Sequence, residues 1–239
     1  MHRFFIDPEN ISGEYFQILD TKVIKYMRSI LRLNSGDQIA LFDGSGFEYV
    51  AEINKITKTL VTGKISEERE IVEDWPKLML AQALPKGNKL DDIVRMNTEI
   101  GVHEFRLFSS EYSVVKLADF RDKKLERLGR LITDASRQSE RAHIPSLYAP
   151  VELSEIFQIE ADMKLILHSR ETTNTEDIKA IKDKLNIETS ILVVIGPEGG
   201  FSEREVNLAI DNGFIAVNLK LPILRTETAG VAVSSILLS

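Results

Sequence analysis

The chain contains no cysteine. That excludes disulfides, thiolate-bound zinc, iron–sulfur clusters and any reaction that needs a cysteine nucleophile. Histidine is scarce, and His2, His103, His143 and His168 never fall at metal-ligand spacing, so no metal is expected. Long apolar runs are also missing. None approaches the roughly 20 residues that cross a bilayer, and the opening MHRFFIDPEN lacks the charged-then-apolar pattern of a secretory signal. A cytoplasmic protein is expected. Positive charge is in deficit, with 30 Lys and Arg against 37 Asp and Glu and a net charge of −7. Phosphate contacts drive most nucleic-acid affinity, so an RNA function would require local basic patches.

The 239 residues suit one large domain or two smaller ones. Residues 1–70 read as a small β-rich unit with one helix. QIALFD and FEYVAEI flank GSG, a hairpin signal, and LVTGKI is a further strand. Between Thr21 and Leu33, Val23, Ile24, Met27, Ile30 and Leu31 recur at helical spacing, which predicts one apolar stripe. Lys22, Lys25, Arg28 and Arg32 fall on the other side with no acid among them. That basic stripe is either a solvated helix face or a surface that tracks phosphates. SEEREIVEDWP, Ser66 to Pro76, is acidic, ends in proline and reads as a linker.

From residue 76 onward, strands and helices alternate. KLMLAQAL, EFRLFSS, KLILHS, ILVVI and IAVNLKL read as strands. Helices are predicted over Asn88–Ile100, over the face formed by Leu125, Leu128, Leu131, Ile132 and Ala135, and over Thr175–Leu185, Ser202–Asn212 and Thr226–Leu238. Ser202 with Glu205 three residues on forms a capping box, and Gly213 ends that helix. This alternation predicts crossover units on a mainly parallel sheet, hence an α/β domain over 76–239.

In such sheets ligands sit beyond the carboxyl ends of the strands. Three loops leave strands there: HSRETTN from His168, GPEGGFS from Gly196 and PILRTETAG from Pro222. If their strands are neighbours, the loops converge on one cavity. Gly196, Gly199 and Gly200 let a ligand approach bare main chain. The loop is neither a dinucleotide fingerprint nor a P-loop, and Glu198 would repel a phosphate. A cation, or an uncharged base together with a cation, suits it better. In the third loop Thr226 can cap a helix. Arg225 and Glu227 either form a structural ion pair or handle charge in a reaction.

GPEGGFSEREV followed by LPILRTETA resembles the RsmE family of ribosomal RNA uridine methyltransferases, in the SPOUT superfamily. MHRFFI, SILRLNSGD, LPKGNKLDDIVRMNTEIG and ASRQSERAHIP extend the resemblance over nearly the whole chain. It implies a PUA-like β-barrel that grips RNA over 1–70. It also implies a SPOUT methyltransferase domain over 76–239, with a deep trefoil knot and the cofactor site at about 165–230. S-adenosylmethionine is implied to lie bent against Leu167 and His168, then Ile195, Gly196, Pro197, Glu198, Gly199 and Gly200. The third loop would contribute Leu219, Leu221, Ile223, Leu224, Thr226, Thr228 and Ala229. A homodimer is implied, with the partner chain completing each site. The implied RNA contacts are Arg3, Lys22, Lys25, Arg28, Arg32 and Gln138. The substrate is implied to be one uridine of 16S ribosomal RNA, free or in the small ribosomal subunit, methylated at N3. Where the family reads Leu-Gly-x-Arg, this chain has Leu219, Lys220, Leu221 and Pro222, and Arg137 replaces a glutamate.

The implied chemistry has clear needs. Methyl transfer from a sulfonium demands alignment of nitrogen, carbon and sulfur. The N3 proton must leave, and negative charge spreads over the base oxygens, where a cation stabilises it. Arg225 is the first candidate for that role and Arg141 the second. Glu227 and Glu198 are candidate proton acceptors. His168 and Arg170 are candidate pocket walls. Without cysteine, carbon-5 methylation of uridine through a thiolate adduct is excluded. Two other readings stand beside the enzyme: a non-catalytic RNA-binding assembly factor that keeps the pocket, and a nucleotide-binding enzyme unrelated to RNA.

Overall fold

The computed structural model describes residues 1–168 and 175–239. The chain packs as two units, Met1–Val72 with Ser136–Ile144, and Glu73–Ala135 with Pro145–Ser239.

In the first unit the strands are β1 (His2–Phe5), β2 (Ile11–Ser12), β3 (Tyr15–Ile18), β4 (Gln38–Phe42), β5 (Phe47–Ile56) and β6 (Val61–Glu70). They form one sheet in the order β1-β4-β5-β6-β3-β2, with β1 parallel to β4 and every other pair antiparallel. Phe4 of β1 and Phe16 of β3, three strands further across the sheet than β4, share a single core with Ile39, Ile53 and Val61. Only a sheet that curls on itself brings those positions together, in keeping with the PUA-like expectation. Strand β6 runs to Glu70, so the acidic stretch read as a linker begins inside a strand.

Helix α1 (Thr21–Ser29) starts at Asp20, whose carboxylate accepts from the amides of Lys22 and Val23. It buries Ile24 and Met27. Ile30, the C-cap residue, is 67 % exposed and lies outside the stripe predicted for it.

The β4–β5 turn is built on Asp43, which accepts from the Ser45 amide and hydroxyl and from Tyr49 Oη. Burial first, and then the neighbouring Asp43 carboxylate, push the Tyr49 phenol up to about 12. The segment Ser136–Ile144 docks against this turn. The Gly46 amide donates to Ala142 O, and the Ile144 amide donates to Gly44 O. A Cβ on Gly46 would lie 2.2 Å from the His143 ring, and one on Gly44 2.4 Å from Ile144. The GSG signal therefore serves close approach as well as the turn.

The second unit is a seven-stranded sheet, parallel throughout. Its strands are β7 (Lys77–Ala83), β8 (Glu104–Ser109), β9 (Ser146–Glu152), β10 (Met163–Leu167), β11 (Thr175–Asp177), β12 (Ser190–Ile195) and β13 (Ile215–Asn218). The order is β11-β13-β10-β12-β7-β8-β9. Helices α2 (Lys89–Ile100), α3 (Asp122–Gln138), α4 (Leu153–Ile156), α5 (Ile178–Lys182), α6 (Glu203–Asp211) and α7 (Thr226–Leu238) supply the crossovers and the C-terminus. Strands buried on both faces read as continuous apolar runs, and Ile191 through Ile195 are all buried.

The helix predicted over Thr175–Leu185 is overturned in its first turn. Thr175–Asp177 pairs with β13 as an edge strand, and α5 begins only at Ile178, where the Asp177 carboxylate accepts from the Lys179 amide. Helix α7 lies on α2 and β7. Gly230 lets it approach Asn97 and Leu80, and Ser234 Oγ donates to the buried Asn97 Oδ1 at 2.8 Å.

Candidate active site

Strand β10 lies between β13 and β12, so the carboxyl ends of all three strands are adjacent. That adjacency is the condition the three loops needed. Their described parts surround a cavity of about 840 Å3, a size suited to a small organic ligand. Leu167 and His168 come from the end of β10, and His168 is held by its amide donating to Val217 O. Arg170 and the rest of HSRETTN lie outside the described residues. Strand β12 supplies Ile195 and the loop Gly196, Pro197, Glu198, Gly199 and Gly200. After β13 come Leu219, Leu221, Pro222, Ile223, Leu224 and Arg225, and α7 adds Thr226 and Ala229. Thr228 and Glu227 are not among the lining residues, and Thr228 is exposed on the outer side of α7.

The glycine loop is tight for physical reasons. The Gly200 amide donates to Pro197 O, and Gly200 has φ +70°. A Cβ on Gly196 would press on the Phe201 ring at 3.1 Å, and one on Gly199 on Tyr112 Cβ at 3.0 Å. Below the loop, Thr226 Oγ donates to Gly196 O at 2.7 Å and accepts from Gln82 Nε2 at 2.9 Å. Thr226 is therefore a strut and does not take the helix-capping role open to it; the N-cap position belongs to Arg225. Gln82 sits fully buried within the apolar run of β7. That polar residue in KLMLAQAL was the available signal, and sequence reasoning passed over it.

Lys89 was also missed. Its ammonium donates to Glu198 Oε1 at 2.7 Å and lies 3.7 Å from Glu227 Oε2. Glu198 Oε1 also accepts from the Lys86 amide. The carboxylate that seemed to call for a bound cation already has one. Burial pushes Glu198 upward, but the bonds from Lys89 and the two amides outweigh it and hold the group below its ordinary value. The bond to Glu198 raises Lys89 correspondingly. Of the two roles left open for Arg225 and Glu227, the mutual ion pair is not formed. Glu227 faces Lys89, and among the described residues Arg225 has no carboxylate partner and stays exposed at the cavity rim.

Lys220 stands where the resemblance expects glycine and has φ +51°, the left-handed conformation that glycine adopts without cost. The turn is kept by its amide donating to Asn218 Oδ1, and its ammonium reaches Asp177 at 2.9 Å.

In the first unit Arg141 is buried at 6 % exposure and Gln138 is exposed. Arg3 is engaged: Nε donates to Glu48 at 2.6 Å, a second nitrogen donates to Glu140 O, and the guanidinium covers Phe42. Lys22, Lys25, Arg28 and Arg32 are all exposed, and among the described residues they form no ion pair. No group of three histidines and carboxylates among the described residues could hold a metal ion. No helix among them is long and apolar enough to cross a membrane.

Two family models match the chain, an RNA methyltransferase domain over residues 73–238 and an RNA methyltransferase PUA domain over 19–66. The chain belongs to the RsmE family of RNA methyltransferases. Ribosomal RNA small subunit methyltransferase E of Bacillus subtilis is 32 % identical over 96 % of this chain and 93 % of its own length. The Aquifex aeolicus protein of the same name is 32 % identical over the whole of both chains. Among solved structures, the Neisseria gonorrhoeae methyltransferase E bound to S-adenosyl methionine is 28 % identical, with a TM-score of 0.76 over 98 % of this chain and 95 % of that one. A Legionella pneumophila methyltransferase with bound cofactor is 29 % identical, with a TM-score of 0.74 over 98 % and 96 %.

Proposed function

We propose that this RsmE-family chain transfers a methyl group from S-adenosylmethionine to N3 of one uridine in 16S ribosomal RNA. One observation carries the reading: the described parts of three strand-end loops line a single cavity, and at its rim Arg225 has no carboxylate partner among the described residues. The cavity fits the cofactor. The main chain of Gly196–Gly200 that the loop's own bonds leave free suits an adenine edge, and Leu167, Ile195, Leu221, Ile223 and Leu224 offer apolar walls. When bound, the cofactor supplies an electrophilic methyl group.

The chain's own residues do the rest. The loops hold nitrogen, carbon and sulfur in line. Arg225 faces the base oxygens as negative charge develops there, with Arg141 as the second candidate. Glu198, which lines the cavity, is a candidate to accept the N3 proton; Glu227, whose buried Oε2 lacks a hydrogen bond, is the other candidate and meets the lining through Lys89. The exposed stripe Lys22, Lys25, Arg28 and Arg32 tracks RNA phosphates in this reading, and Arg3 and Gln138 are its further RNA contacts.

The same reading includes a homodimer in which the partner completes each site, a cytoplasmic location and a trefoil knot.

The test is methyl transfer to unmethylated small ribosomal subunits and to naked 16S RNA, followed by nucleoside analysis. N3-methyluridine from either substrate supports the reading. Binding of the RNA without transfer would leave the assembly-factor alternative. Charge reversal at Lys25 and Arg28 should flatten the salt dependence of RNA binding by about 0.7–0.9 per lost phosphate contact.

A further inference from the structure

One side chain at the cavity mouth has no role so far. Tyr112 lines the cavity, yet it is 49 % exposed. The other phenyl-type ring there, Phe201, is 7 % exposed and stacks on Phe108. Among the described residues, the Tyr112 hydroxyl has no hydrogen-bond partner and its ring has no aromatic or cationic neighbour.

The chain nevertheless fixes the tyrosine firmly on both sides. The Glu111 amide donates to Glu205 Oε1 at 2.8 Å, and Ser202 Oγ donates to Glu111 Oε2 at 2.8 Å. The Ser110 amide donates to Ser113 Oγ, and the Ser113 amide returns a bond to Ser110 O. The tyrosine's Cβ rests close on the glycine loop, 3.0 Å from where a Cβ at position 199 would stand. An apolar face held out toward water on so rigid a turn gains nothing for folding. It is preorganised for a flat ligand that arrives from outside.

We propose that the ring of Tyr112 is the platform on which the target pyrimidine of the RNA stacks when it leaves its own stack to enter the cavity. The inference rests on the function proposed above. Chemistry at a ring nitrogen requires the base to be splayed out, and proteins hold splayed RNA bases on aromatic faces. The division of labour is geometric. The tyrosine covers the face of the base, which leaves its oxygen-bearing edge open to Arg225 and Lys89, cations among the described residues that line the same cavity. Stacking tolerates any base because every base has a π-face, so Tyr112 contributes occupancy of the site and not its choice of uridine.

The experiment uses the full chain carrying Tyr112→Ala or Tyr112→Phe. Three quantities are measured: calorimetric affinity for S-adenosylmethionine, single-turnover methyl transfer with enzyme in excess, and fluorescence of a 2-aminopurine placed beside the target uridine, which brightens when its neighbour unstacks. Tyr112→Ala is expected to slow single turnover about 10- to 100-fold and to abolish the brightening. Cofactor affinity and the thermal midpoint should stay unchanged. Tyr112→Phe should behave like the parent chain.

Turnover and brightening unaffected in Tyr112→Ala would overturn the proposal. So would a fall in cofactor affinity matching the fall in rate, which would place the ring against the cofactor's adenine. A parent chain that brightens the probe through Tyr112 but transfers no methyl group would remove the proposed function and leave the stacking role standing.

Discussion

Replacing Thr226 with valine removes one oxygen and little else, because the two side chains share shape and branching. That oxygen holds two partners. It donates to the Gly196 carbonyl at 2.7 Å and accepts from Gln82 Nε2 at 2.9 Å. Gln82 has no exposed surface, its Oε1 already lacks a partner, and its Nε2 would keep only Ala83 O. A buried polar group left without its partner costs about 1–3 kcal/mol. The Gly196 carbonyl is half-buried at the cavity and can turn to water, so its share is the smaller one. Thr226→Val should therefore cost about 2 kcal/mol, or a drop of about 4–8 °C in the melting of a unit this size. The assay is urea unfolding followed by circular dichroism, with both transitions fitted if the two units separate. Adding Gln82→Leu should cost less than the sum of the single changes, because removing both partners leaves fewer orphaned groups. A loss below about 0.5 kcal/mol, or strict additivity, would refute the idea that this strut carries the loop.

Lys89→Met should weaken S-adenosylmethionine binding about tenfold, since Glu198 on the cavity wall then loses the ammonium that braces its loop, and Lys89→Arg should restore most of it by calorimetry. The Lys89–Glu198 tie has a definite pH window. Glu198 is held below its usual 4.5, so its contribution exists above that pH and is lost only in more acid solution. Lys89 is raised above 10.5, so its contribution is lost only in stronger alkali, and cofactor affinity should be flat through the neutral range. Tyr49 titrates at about 12, above its unfolded value of 10.0, so the first unit loses stability as pH rises between the two; Tyr49→Phe should remove that slope, read by alkaline denaturation and phenolate absorbance. Lys220→Gly should be about 1 kcal/mol more stable than Lys220→Ala. Both variants lose the Asp177 pair, and only glycine accepts φ +51° freely, so equal stabilities would mean the turn relaxes.

What the sequence shows best is what repeats at short range. Helix α7 matches the predicted Thr226–Leu238, and the capping box at Ser202 and Glu205 is present as read. Buried parallel strands announce themselves as apolar runs, so β7, β8, β10, β12 and β13 were all legible. Strand β9 was not, because SLYAPVE mixes polar and apolar residues along a half-exposed edge. Nor was β11, since three residues carry no period and Thr175–Asp177 is a strand only because β13 lies beside it. The return of Ser136–Ile144 to the first unit depends on backbone pairing with Gly44 and Gly46, more than ninety positions earlier in sequence, and no local pattern encodes it.

The site divides in the same way. Its main-chain half was visible in advance, because glycines and strand ends mark where bare backbone is exposed. Its side-chain half was hidden, because Gln82, Lys89 and Tyr112 act across distances that only folding creates. Lys220 shows why the first kind of signal is the stronger. The turn after β13 keeps the left-handed conformation even with a lysine in it, held by the Asn218 side chain. The conformation belongs to the cavity and glycine is only its cheapest occupant. A departure from the family pattern at such a position therefore changes the cost of the loop before it changes the shape of the pocket. Leu221 and Pro222, next in the chain, still line the cavity. A kept pocket is common to the enzyme and to an assembly factor that retains it, so the turn at Lys220 bears on cofactor binding, and methyl transfer is what separates the two readings.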